Sequence, residues 1–279
     1  MIFGATQLWD EYRYRIADPS KYTLSQKNVS FNDPPGYFGN GLYEDLYNQV
    51  FNSSTLLDQH VVPQTANFLS GVPWVQRVEN VNKNPNGLSI KLKYRKPVAY
   101  VRHQDQERTQ TLVDSEGVVF DSRLLTAMDR NAMENDLLRI SMPGVNVKDV
   151  GAWQVSADGR IQHAARLCEY LMKHAVDLKL FWVVTFELPT LDKSSPELEI
   201  WTRNDGVRIL WGGAPGTKVS GEAQAIKKIE AIRAFVTHHG PLDSFDNKRQ
   251  QTIDVRSGIA RLVENRRFAE LTDMLDSIK

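Results

Sequence analysis

The stretch PWVQRVENVNKNPNGLSIKLKYRKPVAYV, residues 73–101, decides the fold of the first part of the chain. After Gly87 it alternates between two faces, with Leu88, Ile90, Leu92 and Tyr94 on one and Ser89, Lys91, Lys93 and Arg95 on the other. A period of two with one apolar face is typical of a half-buried β-strand. A strand that starts at Trp74-Val75 and the turn residues 84–87 precede it, so residues 74–95 are predicted to form a β-hairpin.

A second β-unit follows directly. Pro97 cannot donate a ladder hydrogen bond and ends the first unit, and Val98–Val101 begin a new strand. The stretch TLVDSEGVVF, residues 111–120, predicts a hairpin whose turn is Asp114-Ser115-Glu116-Gly117. The cationic stripe Lys91, Lys93 and Arg95 has no aromatic residues on its face, which favours protection of a sheet edge over nucleic-acid binding.

Residues upstream of the first hairpin predict one strand and two helices. Tyr22–Phe31 is a weak strand, and apolar residues then recur at helical spacing at Leu42, Leu46 and Val50. A second short helix carries Val62, Ala66 and Leu69. The predicted order of the first domain is therefore β-α-α-β-β.

The rest of the chain predicts a second α+β domain. The segment from Phe120 to Gln154 is predicted to be a loop. The elements expected after it are a helix over Ile161–Ala175, a buried strand over Leu180–Leu188, a hairpin around Asn204-Asp205-Gly206, a helix over Ala223–His238, and strands over Gln251–Arg256 and Ser257–Val263. The second helix should face the sheet with Ile226, Ile229, Ile232, Ala234 and Phe235. In residues 264–279, Phe268, Leu271, Leu275 and Ile278 lie on one face of a predicted amphipathic helix.

Composition excludes several classes of partner. The 279 residues carry 34 Lys plus Arg and 34 Asp plus Glu, so no net charge attracts nucleic acid or an anionic membrane. No window reaches the roughly 18 consecutive apolar residues of a membrane helix. The single cysteine, Cys168, lies in a helical apolar pattern and is interpreted as a core thiol.

No motif for catalysis, a cofactor or a metal is complete. In Gly212–Lys218 the lysine does not follow the last glycine directly, so a strand-to-helix loop is favoured over a phosphate loop. The six histidines lack metal-ligand spacing, and His238 and His239 are interpreted as residues of a helix C-terminus. Asp114 and Glu116 are interpreted as turn-forming, solvated charges. We therefore expect no catalytic, cofactor-binding or metal-binding residues.

Four segments in order carry a family resemblance: Pro73-Trp74-Val75, the Asn84–Ile90 turn and strand, Arg95-Lys96-Pro97-Val98-Ala99, and Leu112–Phe120. With the late Ile253-Asp254-Val255-Arg256, this order resembles the FtsQ/DivIB cell-division proteins. The resemblance implies a POTRA domain at residues 20–97 and an FtsQ-type β-domain at 98–263, of mixed or antiparallel sheet with flanking helices. Residues 1–19 would be a membrane-proximal segment, and 264–279 an added amphipathic helix.

The same resemblance implies a function and partners. The protein is expected to be a non-enzymatic, extracytoplasmic scaffold of the bacterial divisome on the periplasmic side of the inner membrane. An N-terminal membrane helix missing from this chain would anchor it. Partners would resemble FtsB or DivIC and FtsL, with FtsK as a further one, and no nucleic acid is expected. Carried over by position, the partner-binding strand would be Ser257, Gly258, Ile259, Ala260, Arg261, Leu262 and Val263.

Two alternatives stay open from the sequence. One is a POTRA-containing chaperone or secretion component that holds unfolded polypeptides. The other is an enzyme of the hydrolase class, whose catalytic residues are scattered along the chain. A deep pocket lined by carboxylates with perturbed pKa values would favour the enzyme, whereas an open sheet edge would favour the scaffold.

Overall fold

The computed structural model describes residues 22–25, 27–33, 35, 47–48, 55–103, 106–120, 137–142, 155, 159–185, 197–245 and 250–263, the side chains of 102–103 and 106–110 excepted. These residues form an α+β fold, which confirms the predicted fold class. The elements are β1 (Val29–Phe31), α1 (Val61–Ser70), β2 (Val75–Asn84), β3 (Gly87–Tyr94), β4 (Ala99–His103), β5 (Gln106–Val113), β6 (Leu138–Ser141), α2 (Gly159–Ala175), β7 (Leu180–Thr185), β8 (Leu198–Thr202), β9 (Val207–Gly212), α3 (Ala225–His239), β10 (Gln251–Asp254) and β11 (Arg261–Val263).

The described residues form two compact units, one up to Arg95 and the other from Lys96 onward. The sequence places the domain junction at Lys96-Pro97. The first unit holds a three-stranded sheet in the order β1-β3-β2. In it β1 is parallel to β3, and β2 and β3 form an antiparallel hairpin.

The alternation that predicts β3 is confirmed, because Leu88, Ile90, Leu92 and Tyr94 are buried. The interpretation of its cationic face is wrong. β3 is the central strand of this sheet, so Lys91, Lys93 and Arg95 protect no edge. Lys91 instead pairs with Glu79 of β2 at 3.2 Å, and Arg95 Nε donates a hydrogen bond to the Pro73 carbonyl.

The helix α1 forms where a short helix is predicted, but with a different buried face. Val61, Thr65 and Leu69 point into the core at a spacing of four, whereas Val62 and Ala66 are half-buried. The apolar pattern therefore predicts the right element with its face rotated by about one residue. Of the earlier predicted helix, Tyr47 and Asn48 are described and are helical, whereas Leu42, Leu46 and Val50 lie outside the described residues, as do the segments 1–19 and 264–279.

The second unit holds an eight-stranded mixed sheet in the order β11-β10-β9-β8-β7-β6-β4-β5. β4, β6 and β7 run parallel, β7, β8 and β9 alternate in direction, and β10 is parallel to β9. The predicted hairpin at Asn204-Asp205-Gly206 joins β8 to β9, and Asp205 adopts a φ of 56° in its turn. The strand β10 follows α3 and is parallel to β9. The antiparallel hairpin of β10 and β11 forms the end of the sheet.

Strand β6 corrects the expectation of a loop over residues 121–154. Leu138–Ser141 pairs in parallel with β4 on one side and with β7 on the other. Leu138 and Ile140 are buried. A four-residue strand between two parallel neighbours carries too few residues to show a period, and Arg139 further masks its apolar character.

The two long helices contribute to one core with the sheet. The predicted inward residues of α2, Ala164, Leu167, Cys168 and Leu171, are all fully buried. Burial raises the pKa of the Cys168 thiol far above its usual range, as expected of a core thiol. In α3, Ile229, Ile232 and Phe235 face the core as predicted, but Ile226 is 47% exposed and Ala234 is exposed. Lys228 takes a buried position instead.

His174 is a buried titratable group between the two helices. It is 8% exposed, and its Nδ1 lies 3.2 Å from Nη2 of Arg233 on α3. A guanidinium only donates, so Nδ1 accepts and the hydrogen resides on Nε2, which has no partner in the described part of the chain. Burial, followed by the charges of Arg233 and Lys173 against that of Asp177, lowers the pKa of His174.

This arrangement predicts a loss of stability in mild acid. The pKa of His174 is lowered in the folded state, so protons bind the unfolded chain first as the pH falls through the ordinary histidine value. We expect the free energy of unfolding, measured with urea, to decrease between about pH 7.5 and pH 5.5. His174→Gln should flatten this dependence, and the remaining slope should come from His163, whose pKa burial and Arg166 also lower. An unchanged slope in His174→Gln would show that His174 does not carry the effect.

Candidate strand-addition site

The eight-stranded sheet ends at β11, a short strand with an exposed outer side. Among the described residues β11 pairs only with β10, in the register Thr252↔Val263, Ile253↔Leu262 and Asp254↔Arg261. All three of its residues are exposed, Leu262 by 53% and Val263 by 37%. The backbone on the outer side of such a strand is available for a further strand within the described part of the chain.

The register assigns the side chains of β11 to two different faces. Leu262 lies opposite the fully buried Ile253, so it extends the core-facing side of the sheet to its edge. Arg261 and Val263 lie on the other face, opposite Asp254 and Thr252. A strand added here would therefore meet an aliphatic residue on one face and a guanidinium on the other.

The predicted strand Ser257–Val263 is wrong in its first half. Only Arg261–Val263 is extended; residues 256–259 form a turn, in which the Gly258 N–H donates to the Val255 carbonyl at 2.9 Å. Gly258 has a φ of +81°, a conformation that favours glycine and ends a strand. Ile259 in this turn is 60% exposed, whereas Ala260 packs partly against the core.

The turn is held against the start of α3. The Ala223 N–H donates to the Arg256 carbonyl at 2.8 Å. A Cβ atom on Gly258 would lie 2.9 Å from Cβ of Ala223 and 3.4 Å from Cβ of Lys227. The glycine thus permits a close approach between turn and helix, and this contact fixes where β11 begins.

Two charged residues brace the hairpin. The guanidinium of Arg256 donates to both carboxylate oxygens of Asp254, at 2.7 Å from Nη2 to Oδ2 and 3.0 Å from Nε to Oδ1. Burial opposes ionisation of Asp254, but these hydrogen bonds and the charges of Arg256 and Arg261 outweigh it and lower the pKa of the carboxyl. The ion pair between Asp254 and Arg256 is not among the features predicted from the sequence. Opposite charges two residues apart at the end of a strand could have indicated it, because such residues lie on the same face.

The other sequence candidates lie apart from this edge. Residues 213–224 join β9 to α3 as a strand-to-helix loop. The Gly213 N–H of this loop donates a hydrogen bond to the Glu222 carboxylate at 3.0 Å. A carboxylate of the chain itself therefore occupies an amide that a phosphate loop would use to bind phosphate. His238 and His239 lie in the last turn of α3.

Asp114 differs from its predicted surroundings. It forms the expected turn, and its Oδ1 accepts the N–H groups of Glu116 and Val118. However, it is only 2% exposed and is therefore not a solvated charge. The buried carboxylate satisfies backbone N–H groups of the turn.

A Gly258→Ala substitution tests how the turn is held. We expect it to lower the free energy of unfolding by about 2–3 kcal/mol, from the positive φ and from the contact with Ala223. Gly216→Ala is the matched control, since Gly216 has a φ of +86° and an added Cβ would meet no atom within 4 Å. It should cost only about 1 kcal/mol. Equal losses in urea unfolding of the two variants would exclude the contact as a constraint.

Comparison with known proteins gives no family for this chain. No protein-family model matches the sequence. No curated protein matches it either. Within the described residues, no cluster of three or more His, Cys, Asp or Glu side chains is arranged to hold a metal ion. In the same part of the chain, no helix combines the length and apolar composition needed to cross a bilayer.

Proposed function

We propose that this chain is a non-enzymatic scaffold of the bacterial divisome, of the FtsQ/DivIB type, which binds a partner by strand addition to β11. It would act on the extracytoplasmic side of the inner membrane. Its partners would be the proteins that resemble FtsB or DivIC and FtsL, with FtsK as a further one. The observation that carries the proposal is the exposed edge Arg261–Val263, whose central Leu262 continues the core face of the sheet.

The first unit supports the same proposal. Its described elements follow the order strand, helix, strand, strand, and β1 lies beside β3 in parallel. This is compatible with a POTRA domain, whose additional helix would include Tyr47 and Asn48, which are helical. The hairpin of β2 and β3 is the part of the sequence in which the resemblance is densest.

The length of β11 limits what backbone pairing contributes. A strand of three residues exchanges about two hydrogen bonds with an antiparallel neighbour, each of them about 0.5–1.5 kcal/mol in net stability. Covering the exposed half of Leu262 adds roughly 1 kcal/mol. Since association itself costs at least about 4 kcal/mol, strand addition would set the register while nearby apolar groups such as Ile259 supply further affinity.

A charge placed on the edge tests the proposal. The full chain would be co-expressed with the FtsB-like and FtsL-like proteins of the same genome, and their capture measured. Leu262→Arg should weaken capture by about ten-fold or more, because a strand added beside it would have to bury the new guanidinium. Phe68→Arg, at an apolar residue of the first unit that is 38% exposed, is the matched control and should leave capture unchanged.

Two results would contradict this assignment. One is undiminished capture by a Leu262→Arg variant that unfolds at the same temperature as the parent chain. The other is an equal loss in both variants, which would place the effect in general solubility rather than at β11.

A further inference from the structure

A cavity of about 440 Å³ lies in the second unit, at the end of the sheet where β6 and β7 begin and β8 ends. Its apolar lining includes Leu138, Val176, Leu180 and Phe181. Val176 is 68% exposed, so the cavity is open to solvent. This place is separate from β11, and nothing in the proposed strand addition uses it.

The polar lining of the cavity carries more positive than negative charge. Lys179 and Arg203 are both exposed and face one carboxylate, that of Asp243. Neither cation has a salt bridge to another side chain of the described residues. The Arg203 guanidinium lies 4.4 Å from the centroid of the Phe181 ring, which holds it above the apolar floor.

The backbone conformation of Lys179 is a second, independent feature of this cavity. Lys179 follows the last turn after α2 with a φ of 57°, in the left-handed region that disfavours a residue with a Cβ. Glycine fits such a position better, so the lysine gives the chain an exposed charge at the cost of backbone strain. Strain of this kind is concentrated at binding sites.

We propose that this cavity binds a segment of a partner protein in which a large aliphatic side chain lies next to a carboxylate. The aliphatic group would lie against Leu138, Val176 and Leu180, and the carboxylate would pair with Lys179 and Arg203. A volume of this size accepts such a group. An open site suits a side chain of a protein better than a free small ligand, because small-ligand pockets enclose most of the ligand surface.

Matched peptides test the inference on the full-length chain by two-dimensional NMR. The probe is the blocked peptide Ac-Ala-Leu-Glu-Ala-NH2, and Ac-Ala-Leu-Gln-Ala-NH2 is the neutral control. The Glu peptide should shift the amide resonances of Val176, Phe181 and Arg203 in a saturable manner. The Gln peptide should bind about five-fold more weakly than the Glu peptide. Added salt should reduce this difference in affinity, because it screens the exposed charges.

Substitutions separate the charge from the fold. Lys179→Gly should raise the Tm by about 2–4 °C while reducing binding of the Glu peptide to the level of the Gln peptide. Lys218→Gln removes an equal charge from an exposed loop residue and should leave binding unchanged. Lys179→Asn, which tolerates the same backbone conformation, should lose binding as Lys179→Gly does.

The inference is wrong if the two peptides bind alike, or if neither shifts resonances at the cavity. It is also wrong if Lys179→Gly and Lys179→Asn bind the Glu peptide as the parent does. Since none of these readouts involves β11 or the division proteins, failure here leaves the strand-addition proposal untouched.

Discussion

The buried ammonium group of Lys228 is the contact on which the edge of the second unit depends. It is 2% exposed, and its Nζ donates to the Trp211 carbonyl at 2.7 Å and to the Glu222 carboxylate at 2.6 Å. The same carboxylate accepts the Gly213 N–H. An unpaired ammonium in a core is costly, so these groups hold the end of β9, the following loop and the first turns of α3 together.

The position of the edge strand follows from that connection. Glu222 is the neighbour of Ala223, whose N–H holds the Arg256 carbonyl, and Ala223 also receives the close approach of Gly258. The turn at 256–259 is therefore fixed relative to α3, and β11 leaves it in antiparallel register with β10. A chain of local contacts from the core to the edge presents Leu262 to solvent in a defined orientation.

Strands and turns that carry a local sequence pattern can be predicted from that pattern. The alternation of Leu88 to Tyr94 and the turn at Asn204-Asp205-Gly206 reappear in the structure, because period and turn chemistry are local properties. β6 escapes such a prediction because its short parallel pairing with β4 and β7 is decided by distant strands. The inward position of Lys228 depends on Glu222 and Trp211, which a helical period does not reveal.

The candidate site shows the same division between local and distant causes. The family resemblance implies its place after Asp254-Val255-Arg256, but the strand expected there is too long because it includes Ser257-Gly258. A glycine after a serine is a turn signal, and the positive φ of Gly258 is the physical reason. The exposure of Ile259 and Leu262 depends on how the hairpin lies against α3, and no local pattern encodes it.

Hydrogen–deuterium exchange of the full chain, alone and with the proposed FtsB-like partner, tests the central claim most directly. A strand added to β11 gives partners to backbone amides that now face solvent, so exchange at Arg261–Val263 should slow when the partner binds. The strands of the first unit should exchange at the same rate in both samples. Protection confined to the first unit, with Arg261–Val263 unchanged in a saturated complex, would contradict strand addition at this edge.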